Sequence, residues 1–142
     1  MSLLHRTTLG VAVSALAVGV ATASAATTTK LKATLKGSSV PTKGDPDGRG
    51  TATITIKGTE LCYSLSLSNV EATDGGHIHK GKSGVVGAII VPLYNGKEKR
   101  KGCETVGRIM AAQIVDHPSG FYVNLHNKKF PKGAVRGQLR KG

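Results

Sequence analysis

Apolar residues recur along much of this chain at every second position, the spacing of strands with one buried and one exposed face. Leu31, Ala33 and Leu35 alternate with Lys30, Lys32, Thr34 and Lys36, which predicts a half-exposed strand. Residues 37–50 collect Gly, Pro, Ser and Asp, with Asp45-Pro46-Asp47-Gly48 as a turn, and predict a surface loop. Ala52, Ile54 and Ile56 then alternate with threonines, Gly58-Thr59 turns the chain, and the alternation resumes from Leu61 through Tyr63 to residues 65–67. This is the pattern of a β-hairpin. Residues 85–93 form a more continuous apolar run, read as a strand buried on both faces, with Pro92 closing it or sitting at an edge. Residues 121–127 and 134–139 predict two more strands around a turn at Pro131-Lys132-Gly133. Helical spacing occurs only over residues 105–116, where Val106, Ile109, Met110, Gln113 and Ile114 share one face and His117-Pro118 ends the run. Short strands with frequent turns predict an all-β fold, an antiparallel β-sandwich or flattened barrel with one short helix near residues 105–116.

The first residues depart from this pattern. His5 and Arg6 precede an uncharged apolar run over residues 9–21, and Ala23-Ser24-Ala25 offers the small residues of a cleavage site, so residues 1–25 read as a signal peptide. The run is shorter than the roughly 20 apolar residues that cross a bilayer, and no other stretch of that length follows, so no transmembrane anchor is expected after cleavage. Residues 26–142 are then expected to form one domain, secreted or held at the exterior of the cell envelope.

Charge narrows the partners. Without Arg6 the chain carries 19 Lys and Arg against 8 Asp and Glu, a net charge of +11. That favours anionic surfaces. With three Tyr, two Phe, no Trp and no basic recognition helix, a specific nucleic-acid partner is not expected. Anionic envelope polymers, lipid head groups, extracellular polysaccharide or an extracellular protein remain, beside the alternative that the charge only keeps the domain soluble. Cys62 and Cys103 are an even pair in an exported chain, which favours a disulfide over free thiols or a metal pair. They are too far apart for a redox-active Cys-x-x-Cys motif.

Histidines supply the candidate chemistry. On an extended strand, His77 and His79 share one face and Ile78 takes the other; over residues 121–127, Phe121, Val123 and Leu125 face the core and Tyr122, Asn124 and His126 the opposite side. Both histidine faces are expected to be non-core. If the two strands are neighbours, three imidazoles converge, a workable set for copper or zinc. The alternative is that these rings only bond to neighbouring loops.

The run Gly76-His77-Ile78-His79-Lys80-Gly81, the segment 84–93, and the segment from Phe121-Tyr122-Val123-Asn124-Leu125-His126-Asn127 to Gly137-Gln138-Leu139 resemble the CHRD (chordin-type) domain family in order and spacing. The loop at 44–48, the strand at 61–63 and the Gly102-Cys103 position are similar to its bacterial members, so the resemblance covers roughly residues 30–140. It implies a secreted, immunoglobulin-like β-barrel or sandwich of largely unassigned molecular function. In the animal protein such domains lie in an extracellular antagonist of growth factors, a multidomain setting whose role does not carry over to a single domain. The family is also likened in fold to copper/zinc superoxide dismutase. By that likeness His77, His79 and His126 resemble three copper ligands, His117 is a possible fourth, and Arg136 is a candidate for steering small anions, or else a charged residue on the exposed face of the last strand. The bridging histidine and the zinc set are missing, since residues 80–116 hold no histidine.

No Gly-x-Ser-x-Gly setting and no clear acidic dyad occurs. The expectation is a non-enzymatic extracellular binding or interaction module, with a copper-binding protein, weakly active at most, as its alternative.

Overall fold

The computed structural model describes residues 25–142. The signal peptide read over residues 1–25 lies, but for Ala25, outside the described residues. Alternation of Leu31, Ala33 and Leu35 with lysine and threonine produces β1 (Thr28–Lys36), and the hairpin follows as β2 (Arg49–Lys57) and β3 (Glu60–Ser68), joined through Gly58 at φ 60°. Registers place Leu31 opposite Ile54 and Ile54 opposite Tyr63, so one face of the meander is apolar but for Thr29 at its end. The chain continues through β4 (Gly75–Lys80), β5 (Ile89–Asn95), β6 (Lys101–Thr105), the helix α1 (Arg108–Asp116), β7 (Phe121–His126), β8 (Val135–Gln138) and β9 (Arg140–Lys141).

All pairings are antiparallel, in the order β5-β4-β7-β8-β1-β2-β3-β6, with β9 added to β1. The sheet curls until its two ends nearly meet. At that seam the Tyr63 hydroxyl of β3 donates to the Leu93 carbonyl of β5 at 3.1 Å. Gly102 makes the approach of Tyr63 possible, since a Cβ there would lie 2.6 Å from the Tyr63 hydroxyl. The result is a nearly closed barrel, filled by Leu31, Leu35, Ile54, Leu61, Ile78, Val123 and Leu125. Ala111 and Ile114 of α1 are buried as part of the same core. Cys62 and Cys103 face each other across β3 and β6 and form a disulfide, which suggests an extracellular protein. Among the described residues, no helix is long and apolar enough to cross a membrane.

Three expectations change. The run over residues 85–93 is not one strand: β5 starts at Ile89, and Val86 is 74% exposed in the preceding loop. Pro92 does lie in a strand at one end of the sheet path, as its edge reading expects. The helix starts at Arg108, later than its spacing predicts, and Ile109 is 78% exposed; Val106 is buried, but ahead of the helix, with its N–H on the Thr59 carbonyl. The loop over residues 37–50 is also more than surface. Val40 and Asp45 are buried, and Gly37 packs so tightly on Asp45 that a Cβ would lie 1.6 Å from its carbonyl oxygen.

Candidate metal centre

The pairing of β4 with β7 sets Gly75 opposite His126, His77 opposite Asn124 and His79 opposite Tyr122. Ile78 points into the core with no exposure, so His77 and His79 project from the other face. His126 comes up beside them from β7. Gly75 leaves the space between the strands open, for a side chain there would rest against both His77 and His126. Ring centroids lie 5.1 Å apart for His77 and His126, 5.8 Å for His77 and His79, and 6.4 Å for His79 and His126. One nitrogen from each ring lies within 4.8 Å of the others.

Each imidazole is anchored through one of its ring nitrogens. His77 Nε2 donates to Asn95 Oδ1 at 3.1 Å, His79 Nδ1 to the Gly87 carbonyl at 2.9 Å, and His126 Nδ1 to the Pro131 carbonyl at 3.0 Å. These oxygens only accept, so in the neutral rings the lone pairs sit on His77 Nδ1, His79 Nε2 and His126 Nε2. Burial pushes His79 and His126 below the usual imidazole range, although the carbonyls of Gly87 and Pro131 pull the other way; the neighbouring His77 depresses both further. Burial therefore favours the neutral form of both rings. His77 Nδ1 and His79 Nε2 are buried without a hydrogen-bond partner, and His126 Nε2 has only a long 3.4 Å contact to Asn124 Nδ2. An unmet buried polar atom costs about 1–3 kcal/mol, so two on adjacent rings call for an explanation. A cation accepted by these lone pairs supplies one. Three imidazoles with carbonyl or amide acceptors on their far nitrogens are the usual arrangement around a protein-bound copper or zinc ion, and the donor set fits either.

The sequence-predicted residues distribute as follows. His77, His79 and His126 come together. His117 does not join them: it ends α1, its N–H on the Gln113 carbonyl. Glu60, Cys62 and Cys103 also cluster, but the two sulfurs are bonded to each other. Arg136 does not stand on an exposed face, as one of its two readings expected. It is 2% exposed and donates to the carbonyls of Val85 at 2.8 Å and Lys82 at 2.9 Å and to Gln138 Oε1 at 3.1 Å, with its guanidinium 3.3 Å over the Tyr122 ring. The histidine face is likewise not bare. Residues 81–88 and the turn at Pro131 cover it, which leaves His79, Tyr122 and Asn124 buried. Sequence reading missed Asn95, Gly87 and Pro131 as anchors, because two of the three act through backbone carbonyls and carry no side-chain signal. It also missed Tyr122, whose ring stacks on His79 at 4.8 Å.

The family model described as the CHRD domain matches residues 31–139, nearly all of the barrel. No curated protein and no solved structure matches the chain.

Proposed function

This chain belongs to the CHRD domain family, and we propose that it is an exported, non-enzymatic binding module whose ligand is a copper ion held by His77, His79 and His126. The observation that carries this reading is the convergence of three imidazoles, each with a ring nitrogen within 4.8 Å of the others', two of which hold a buried nitrogen without a partner. All-imidazole donors suit copper and zinc, and copper takes precedence on intrinsic affinity. Export through a cleaved leader is supported by the pattern of residues 1–25 and by the Cys62–Cys103 bridge. His77, His79 and His126 would hold a copper ion, which would supply a one-electron redox centre; Asn95, Gly87 and Pro131 fix the three rings, and His77 Nδ1 and His79 Nε2 are sheltered from water.

Calorimetric titration with copper(II) tests the assignment. The expected result is one site on the wild-type protein, bound at least 100-fold more tightly than by a His77→Ala, His79→Ala, His126→Ala variant. Equal binding in both, micromolar or weaker, contradicts it.

A further inference from the structure

Which nitrogen of His79 carries the lone pair depends on one hydrogen bond. Its Nδ1 donates to the Gly87 carbonyl, and only while that carbonyl stays in place is Nε2 left as the free base. Gly87 lies in the connection between β4 and β5, and the sheet reaches that connection through a small set of side chains. Arg136 of β8 donates to the Val85 and Lys82 carbonyls together, Gln138 Nε2 donates to the Gly81 carbonyl at 3.0 Å, and the Tyr122 hydroxyl of β7 accepts the Gly87 N–H at 3.0 Å. Arg136 is itself fixed, paired opposite Asn124 on one side and Lys36 on the other, with its guanidinium on the Tyr122 ring. Gly87 has to be glycine for this approach, because a Cβ would lie 1.7 Å from the Lys80 carbonyl oxygen.

We propose that Arg136, together with the Tyr122 hydroxyl, is a positioning residue for the metal centre: it clamps residues 82–87 onto the sheet so that the Gly87 carbonyl holds His79 in the tautomer that presents Nε2. This rests on reading His77, His79 and His126 as the centre, yet the tautomer is a property of the metal-free protein. The geometry calls for arginine in particular. A planar fork reaches two carbonyls at once, whereas the single ammonium of a lysine meets them at one point. With the clamp released, the His79 Nδ1–H loses its acceptor, and the ring moves toward the Nε2–H form that imidazole side chains prefer in water. That places a proton on the nitrogen the ion needs.

The test is ¹⁵N NMR of the histidine rings in metal-free protein near pH 8, for wild type, Arg136→Lys, Arg136→Met and Tyr122→Phe. In the wild type, His79 should carry its proton on Nδ1. In each variant the signals should shift toward Nε2–H, while His126, anchored by Pro131, stays as it was and serves as an internal reference. Copper binding should weaken about tenfold in the same variants, the usual scale for loss of an outer partner of a metal-bound histidine. An Nδ1–H form of His79 that persists in the variants overturns the proposal, as does a simultaneous change in all three rings. Should the Arg136 variants fail to fold, Tyr122→Phe, which removes only the acceptor of the Gly87 N–H, decides by the same signal. A tautomer that shifts as expected alongside equal copper binding in wild type and the triple-alanine variant would leave the clamp standing and remove the metal reading.

Discussion

Glu98 accepts from both the N–H and the hydroxyl of Thr73 at 2.8 Å and pairs with the Arg100 guanidinium. Burial pushes its carboxyl up, but the Thr73 donors and Arg100 outweigh that and hold it below its ordinary value of 4.5. A carboxyl whose folded value is depressed contributes stability in full above the ordinary value and loses it as pH falls through the folded one. Glu98→Gln should therefore cost about 1.5 kcal/mol at pH 7, the low end for a hydrogen bond to a charged group. Urea unfolding at pH 7 and pH 3 checks this: the wild-type advantage should shrink at pH 3, and an advantage that does not change with pH would rule out the charge as its source. Single residues also mark where sequence reading stops. His77, His79 and His126 are visible because period two puts them on one side of their strands. Arg136 is not, because its carbonyl acceptors at Val85 and Lys82 lie 51 and 54 residues away along the chain.

Among the elements, those with clean alternation are legible: β1, β2 and β3 follow from their apolar positions. Strand β6 does not, because its sequence, Lys-Gly-Cys-Glu-Thr, lacks apolar residues, and its place beside β3 depends on Gly102 admitting the Tyr63 ring. The run at residues 85–88 misleads in the opposite sense. Its valines look like core, yet the backbone there is drawn over the histidine face by hydrogen bonds to the Tyr122 hydroxyl of β7 and from Arg136 of β8. The disulfide belongs to this scale as well, since it fastens β6, the last strand of the path, to β3. Closing the loop between cysteines 41 positions apart restricts the unfolded chain by about 4 kcal/mol in the chain-entropy model. The Cys62→Ser, Cys103→Ser variant should lose about 2–4 kcal/mol in urea unfolding, and its amide exchange should rise first in β6. Unchanged stability and unchanged exchange in β6 would show that the bridge restrains nothing.

For the whole molecule, barrel closure and the metal reading are linked. The histidines stand on β4 and β7, adjacent strands near one end of the sheet path, with Ile78 and Val123 packed behind them and loops bonded in front. A site held on both sides in this way is set before any ion arrives, and an ion that binds only the folded chain adds to its stability by mass action. The most direct measurement is pulsed EPR of the protein loaded with one equivalent of copper(II), in wild type and in the three single variants His77→Ala, His79→Ala and His126→Ala. Three coordinated imidazoles in the wild type and two in each variant are the predicted result. A wild-type signal that none of the three substitutions changes would contradict the assignment of the centre.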